Sequence, residues 1–176
     1  MDLVDLKNRQ LFAESRGNER AKSPRGASGL YQIMPDTAKW YADSTGNKGS
    51  IWDPAYNEQI RDWLMERLYN YDWAKSAKTD EERWRRAYAG YNWGSGNMSK
   101  AISKYGDDWY RHAPKETRDY VTFIIDNVDV GKHTTNEKYN EAKKTNKYFK
   151  QYGGLIKPFS YTDIPVVRYS NGGNLF

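Results

Sequence analysis

The apolar positions of this chain recur mostly at helical spacing, and glycine and proline mark the breaks. Leu3, Leu6 and the Gln10/Leu11 pair fall on one face, closed by Ala13 and Glu14, and predict a helix over 2–15. Gly17, Pro24, Gly26 and Gly29 punctuate a loop over 16–29. Leu30, Ile33 and Met34 then form a short apolar segment expected to wedge against the core, with Gln32 facing a groove. Pro35 suits a first helical turn and predicts a helix to about Thr45, ended by Gly46 and Gly49.

Asp53-Pro54 reads as an N-cap followed by a first-turn proline. Ile60, Trp63, Leu64, Arg67, Leu68 and Tyr71 then make the strongest apolar stripe in the chain, read as core rather than chemistry. Thr79 and Glu82 fit a capping box ahead of a helix with Trp84, Ala87, Tyr88 and Tyr91 on one face, stopping at Asn92–Gly96. A short helix is expected over Asn97–Tyr105, closed by Gly106, and another from Pro114 to about Val128, with Val121, Ile124, Ile125 and Val128 inside. Thr134 and Glu137 fit a further capping box, opening a polar helix to about Tyr152 that Gly153-Gly154 stops. Its apolar face is thin: Tyr139, Ala142 and Phe149. The tail after it, with two prolines and short apolar pieces, reads as extended segments on the surface. The chain is therefore mainly α.

Composition narrows the chemistry. The 176 residues suit one domain with a core of its own plus an appendage. Seven Trp and 15 Tyr supply buriable surface to an otherwise polar chain, and such a balance suits handling of sugars by ring stacking. Without cysteine there is no disulfide and no thiolate metal site, and His112 and His133 stand far apart, so no metal-ligand spacing is visible. No apolar run is long enough to span a bilayer. The formal net charge of +5 resides in residues 131–160, where seven Lys face Glu137 and Glu141. That stretch is either a solvated helix face or a contact for an acidic polymer, a nucleic acid or a partner protein.

The candidate chemistry lies between Glu14 and Pro35. One carboxylate ends an apolar-periodic run, a Gly/Ser/Pro-rich loop follows, and the amide of Gln32 comes 18 positions after Glu14. This layout can bring an acid, a loop and an amide to one wall of a groove. Taken alone, Glu14 is a surface carboxylate, Ser23 a turn-stabilising serine and Tyr91 a core tyrosine. Glu116 and Tyr120 lie four apart and share a helix face, or form a Glu116–Arg118 surface pair and a core ring.

Four blocks in order change that picture: Glu14-Ser15; Ser23 to Pro35, reading SPRGASGLYQIMP; Tyr91-Asn92 within AYAGYNWGSG; and Glu116 to Val121, ETRDYV. Together they resemble the lytic transglycosylase SLT domain of the lysozyme-like superfamily, over roughly residues 1–130, leaving 131–176 as a basic helix and tail. Tyr31 departs from the family's usual methionine, so a ring is expected to alter sugar contacts there. Gly90 replaces the usual alanine, a small-for-small change.

The resemblance implies a helical lysozyme-like domain with a substrate groove. Glu14 would be the single catalytic acid/base, with Ser23, Gln32, Tyr91 and Asn92 orienting it and holding the sugar, and Glu116 and Tyr120 lining the groove. The implied reaction cuts the bond between N-acetylmuramic acid and N-acetylglucosamine in peptidoglycan and leaves a 1,6-anhydromuramyl end. No metal or organic cofactor and no specific nucleic acid is implied. The charged N-terminus lacks the apolar stretch of a signal peptide, which points to a phage particle, a holin or a secretion machine for delivery to the cell wall, or else to a clipped chain starting at an added Met1. The same fold also serves goose-type lysozymes, for which Asp36 or Asp43 would be the second carboxylate, and non-catalytic virion or wall-binding modules.

Overall fold

The structure, a computed structural model, describes residues 1–149. Its helices follow the stop signals closely. Helix α1 spans Leu3–Ser15, and the Asp2 side chain accepts from the amides of Val4 and Asp5. Helix α2 is Pro35–Thr45, ended by Gly46 at φ 73°. Helix α3 is Pro54–Asn70, capped by Asp53 on the Tyr56 amide. A four-residue helix, α4 (Asp72–Lys75), which no sequence signal announced, turns the chain into α5 (Asp80–Trp93), capped by Thr79 on the Glu82 amide. Helix α6 is Ser95–Tyr105. A 3-10 turn and the short α7 (Trp109–His112) lead to α8 (Lys115–Val121), and α9 is Asn136–Thr145. Among the described residues the only β pairings are isolated bridges, Lys22 to Ser28 and Ser28 to Ile33.

α5 runs through the middle. It packs on α3, α6 and α8, while α1 lies against the segment after α8. Phe12 of α1, Phe123, Tyr139 of α9 and Phe149 form an aromatic cluster, with Phe12 5.8 Å from Phe123 and 5.7 Å from Tyr139. The thin apolar face expected of α9 is thus buried against α1.

The structure corrects several expectations. The helix expected to reach Val128 leaves α geometry at Val121 and continues as a π-helical turn, Thr122–Asp126. The wider turn carries Phe123 and Ile124 inward toward α1, so Val128 leaves the buried stripe and stands exposed. The last capping residue is Thr135, not Thr134: its side chain accepts from the Lys138 amide, while the Thr134 carbonyl is taken by Val130. α9 stops at Thr145 because Asn146 turns its side chain onto Gly17 and Tyr148. The expected continuation to Tyr152, the Gly153-Gly154 stop and the extended tail lie outside the described residues. Leu3 and Tyr71 are exposed, and the buried face of α3 rotates to include Asn57, Arg61 and Met65.

Gly90 is not freely exchangeable with alanine. An added Cβ there would sit 2.8 Å from Trp73 and 3.2 Å from Leu68. Overpacking of this kind costs about 1–3 kcal/mol. Gly90→Ala is therefore expected to lower the urea midpoint by a corresponding amount; an unchanged midpoint would mean that Trp73 moves without strain.

Candidate active site

Glu14 sits in the last turn of α1, where Arg16 in the left-handed region and Gly17 turn the chain away. The residue keeps partial access to solvent, yet protein surrounds its carboxyl. The Tyr120 hydroxyl, from α8, donates to Glu14 Oε1 at 2.6 Å. Burial pushes the Glu14 carboxyl up to about 7. The Tyr120 hydrogen bond and the Arg61 charge act against that rise, and the Glu116 charge adds to it. A carboxyl so placed is still substantially protonated near neutral pH.

The bridged segment forms a wall joined through Tyr91 to the surroundings of Glu14. Ser28 and Ile33 exchange both backbone hydrogen bonds at 3.0 Å, and the turn between them puts Gln32 at φ 48°. Asn57 of α3 pins it from below. Its Nδ2 donates to the carbonyls of Ser28 and Ile51, and its Oδ1 accepts from the Tyr31 amide at 2.8 Å. The Tyr91 hydroxyl donates to the Tyr31 carbonyl at 2.7 Å. Tyr91 therefore ties this wall to α5 instead of bonding the acid directly. Burial and the neighbouring Glu14 raise the Tyr91 hydroxyl well above the ordinary phenol range, and the same two causes act on Tyr120.

Each expected residue has a definite place. Tyr120 touches Glu14, and Glu116 is exposed and close enough for its charge to act on Glu14. Asn92 accepts a hydrogen bond from the Thr117 hydroxyl at 2.8 Å, which fixes its amide plane. Gln32 donates to the carbonyls of Ala21 and Gly29, so its NH2 group braces the loop and only its oxygen remains to meet a ligand. Ser23 accepts from the Ala27 amide, the turn-stabilising role. Arg118 turns to the carbonyls of Ala113 and Arg111 and is not the partner of Glu116.

Two readings of the segment are corrected. Tyr31 is fully buried, with Arg61 5.7 Å from its ring, so the ring cannot alter sugar contacts. Met34 is exposed and does not wedge into the core. Asp36 and Asp43, the conceivable second carboxylates, lie exposed on α2, and Asp43 pairs with Lys39. Among the described residues no cluster of three or more His, Asp or Glu side chains could hold a metal ion, and no helix is long and apolar enough to cross a membrane.

Sequence reasoning missed Asn57, Arg61 and Thr117. Arg61 is buried in α3, its Nε donating to Gln10 at 2.6 Å and its Nη2 to Tyr88 at 3.0 Å. The available signal was two polar residues four apart, Asn57 and Arg61, flanking Ile60 on an otherwise apolar face. α3 is thus not purely core.

The model of the transglycosylase SLT domain matches residues 11–113, more than half of the chain. The chain belongs to the transglycosylase SLT family. The match includes Glu14, the bridged segment and Tyr91-Asn92, while Glu116, Thr117 and Tyr120 lie beyond its end. The chain is 28% identical over 130 residues to the membrane-bound lytic murein transglycosylase D of Escherichia coli K12, covering 70% of this chain and 27% of that protein. The same protein of Escherichia coli O6:H1 matches equally. Among solved structures, the 70 kDa soluble lytic transglycosylase Slt70 of Escherichia coli superposes with a TM-score of 0.57 at 23% identity, over 88% of this chain and 22% of that one. The last likeness is one of fold, the mainly helical lysozyme-like SLT fold. The chain spans about a quarter of the length of the relatives it matches.

Proposed function

We propose that this SLT domain is a peptidoglycan lytic transglycosylase in which Glu14 alone serves as acid and base. The observation that carries the reading is a carboxyl surrounded by protein at the end of α1, held by Tyr120 and raised to about 7. Membership of the SLT family supports the substrate class.

In this mechanism Tyr120 occupies Oε1 of Glu14, and Oε2 meets the sugar. Glu14 gives its proton to the oxygen bridging N-acetylmuramic acid and N-acetylglucosamine, and the bond to C1 breaks. Positive charge spreads over the ring oxygen and C1. The resulting Glu14 carboxylate accepts a stronger, charge-assisted bond from Tyr120. It then takes the proton from the muramyl 6-hydroxyl as that oxygen attacks C1. The 1,6-anhydro bond closes and Glu14 is protonated again, with no water consumed. The nucleophile is held within the same sugar, so proximity replaces a second base. Asn92 and the oxygen of Gln32 hold the substrate, Ser23 keeps the turn that presents them, and Glu116 lines the groove and keeps Glu14 protonated.

Mass spectrometry of the released muropeptides tests this directly: anhydro ends are expected, and reducing ends would mean hydrolysis. Glu116 is the second carboxylate whose charge reaches Glu14, so a goose-type hydrolase would recruit Glu116 rather than Asp36 or Asp43. Lysis is expected to fall as pH rises through about 7, where Glu14 loses its proton. Tyr120→Phe removes a bond that favours the carboxylate, so that falling limb is expected to move to higher pH while the rate drops. An unmoved limb would mean that Tyr120 does not act through Glu14.

We propose residues 1–130 as the catalytic unit, 131–176 as a basic extension whose α9 packs on α1 through Tyr139, and local wall opening during phage entry, phage release or secretion as the setting. The support is the basic stretch from Lys132 onward, suited to an acidic partner surface. Immunodetection in purified virions or secretion complexes tests it.

A further inference from the structure

A cavity of about 580 Å³ lies beside the bridged segment, between it, α2 and the loop before α3. None of the seven expected site residues lines it. Its volume is in the range of small-ligand sites. The lining has two parts: the cations of Lys22, Lys39 and Lys48, and an apolar floor that includes Ile51, Trp52 and Tyr56. No Asp or Glu lines it. Among the described residues Lys22 and Lys48 form no ion pair, and Lys39 is matched only by Asp43, with both side chains more than half exposed. Such an exposed pair is worth little and exchanges easily for a ligand carboxylate.

Three cations over an apolar floor select a ligand with several carboxylates and small aliphatic groups. We propose that this cleft docks the acidic peptides carried by the wall polymer, through their carboxylates on Lys22, Lys39 and Lys48 and their aliphatic side chains on Ile51 and Trp52. The choice of occupant rests on the wall polymer being the substrate. Charge complementarity favours it, since those peptides carry several free carboxylates and the cleft offers cations without competing acids. The cleft shares the segment of Ser23 and Gln32, so a peptide held there would steady the bridged segment that Tyr91 joins to the surroundings of Glu14.

The test titrates the full-length, isotope-labelled chain with a synthetic wall tetrapeptide, at low salt to limit screening. A second arm uses the same peptide with every carboxylate amidated. Amide shifts are expected around Lys22, Lys48 and Trp52, with the amidated peptide binding roughly tenfold more weakly. The Lys22→Ala/Lys48→Ala double variant, checked for a native melting profile, is expected to lose a similar factor. Equal binding of the amidated peptide, equal binding by the double variant, or shifts confined to the Glu14 groove would each overturn the assignment. If the chain clears no wall material yet binds the peptide through these lysines, the catalytic reading fails and the carboxylate cleft stands. If it cuts glycan strands but the peptide does not bind, the cleft assignment fails alone.

Discussion

Glu14→Gln is expected to lose wall lysis by about 10³-fold or more and, at pH 8, to unfold at a higher denaturant concentration than the parent. Both effects come from the same burial. The carboxyl is raised from 4.5 to about 7 in the folded chain. Below pH 4.5 it is protonated whether folded or unfolded, and glutamine changes little. Between 4.5 and about 7 the unfolded chain ionises while the folded one keeps its proton, so the parent loses stability as pH rises. Above 7 the folded chain holds a buried carboxylate, at a cost of roughly 3 kcal/mol for a displacement of that size. The neutral amide removes the cost. Urea titrations of parent and variant at pH 4 and pH 8, beside turbidity assays on purified sacculi, check both halves. Substantial clearing by the variant would refute the acid role, and equal stability at pH 8 would refute the burial.

Arg61→Met is expected to cost about 3–5 kcal/mol of stability, the range for removing one partner from a buried charged network. Arg61 joins three helices: α1 through Gln10, α5 through Tyr88 and its own α3 through Asp62. Gln10 is fully buried and its Nε2 already lacks a partner. Removing Arg61 leaves that amide and the Tyr88 hydroxyl unpaired, each worth about 1–3 kcal/mol. Methionine fills much of the same volume, so the loss reads out the hydrogen bonds rather than a cavity. The variant also lacks a positive charge that lowers Glu14, so the falling limb of activity is expected to move to higher pH. Chemical denaturation and a pH–rate profile check both effects. A stability within about 1 kcal/mol of the parent would mean that α1 and α3 hold together without this tie.

Much of the fold was legible because local chemistry dictated it. Pro35, Asp53-Pro54 and Thr79 start helices where caps and first-turn prolines should, and Gly46 and Gly94 end them. The chain left its pattern where a partner distant in sequence decided. The π-helical turn after Val121 is set by packing on α1, and the break at Asn146 by Gly17, 129 positions earlier. Within the candidate site, Glu14 and Tyr120 stand together 106 positions apart. The amide of Gln32 and the hydroxyl of Tyr91 read as groove chemistry, yet both are occupied by backbone carbonyls. Nothing local distinguishes a polar group aimed at a ligand from one aimed at the chain.

The sequence by itself determined where α2, α3 and α5 begin and where α1, α2 and α5 stop, that an acid precedes a glycine-rich loop, and that no thiol is present. These follow from dihedral preference and residue chemistry, which need no neighbours. Only the tertiary structure decided that Glu14 is enclosed and bonded by Tyr120, that Arg61 lies in the core near it, and that Lys22 and Lys48 share a cleft without acids. Protonation and charge pairing depend on which groups surround a side chain, and here those groups come from helices far apart along the chain.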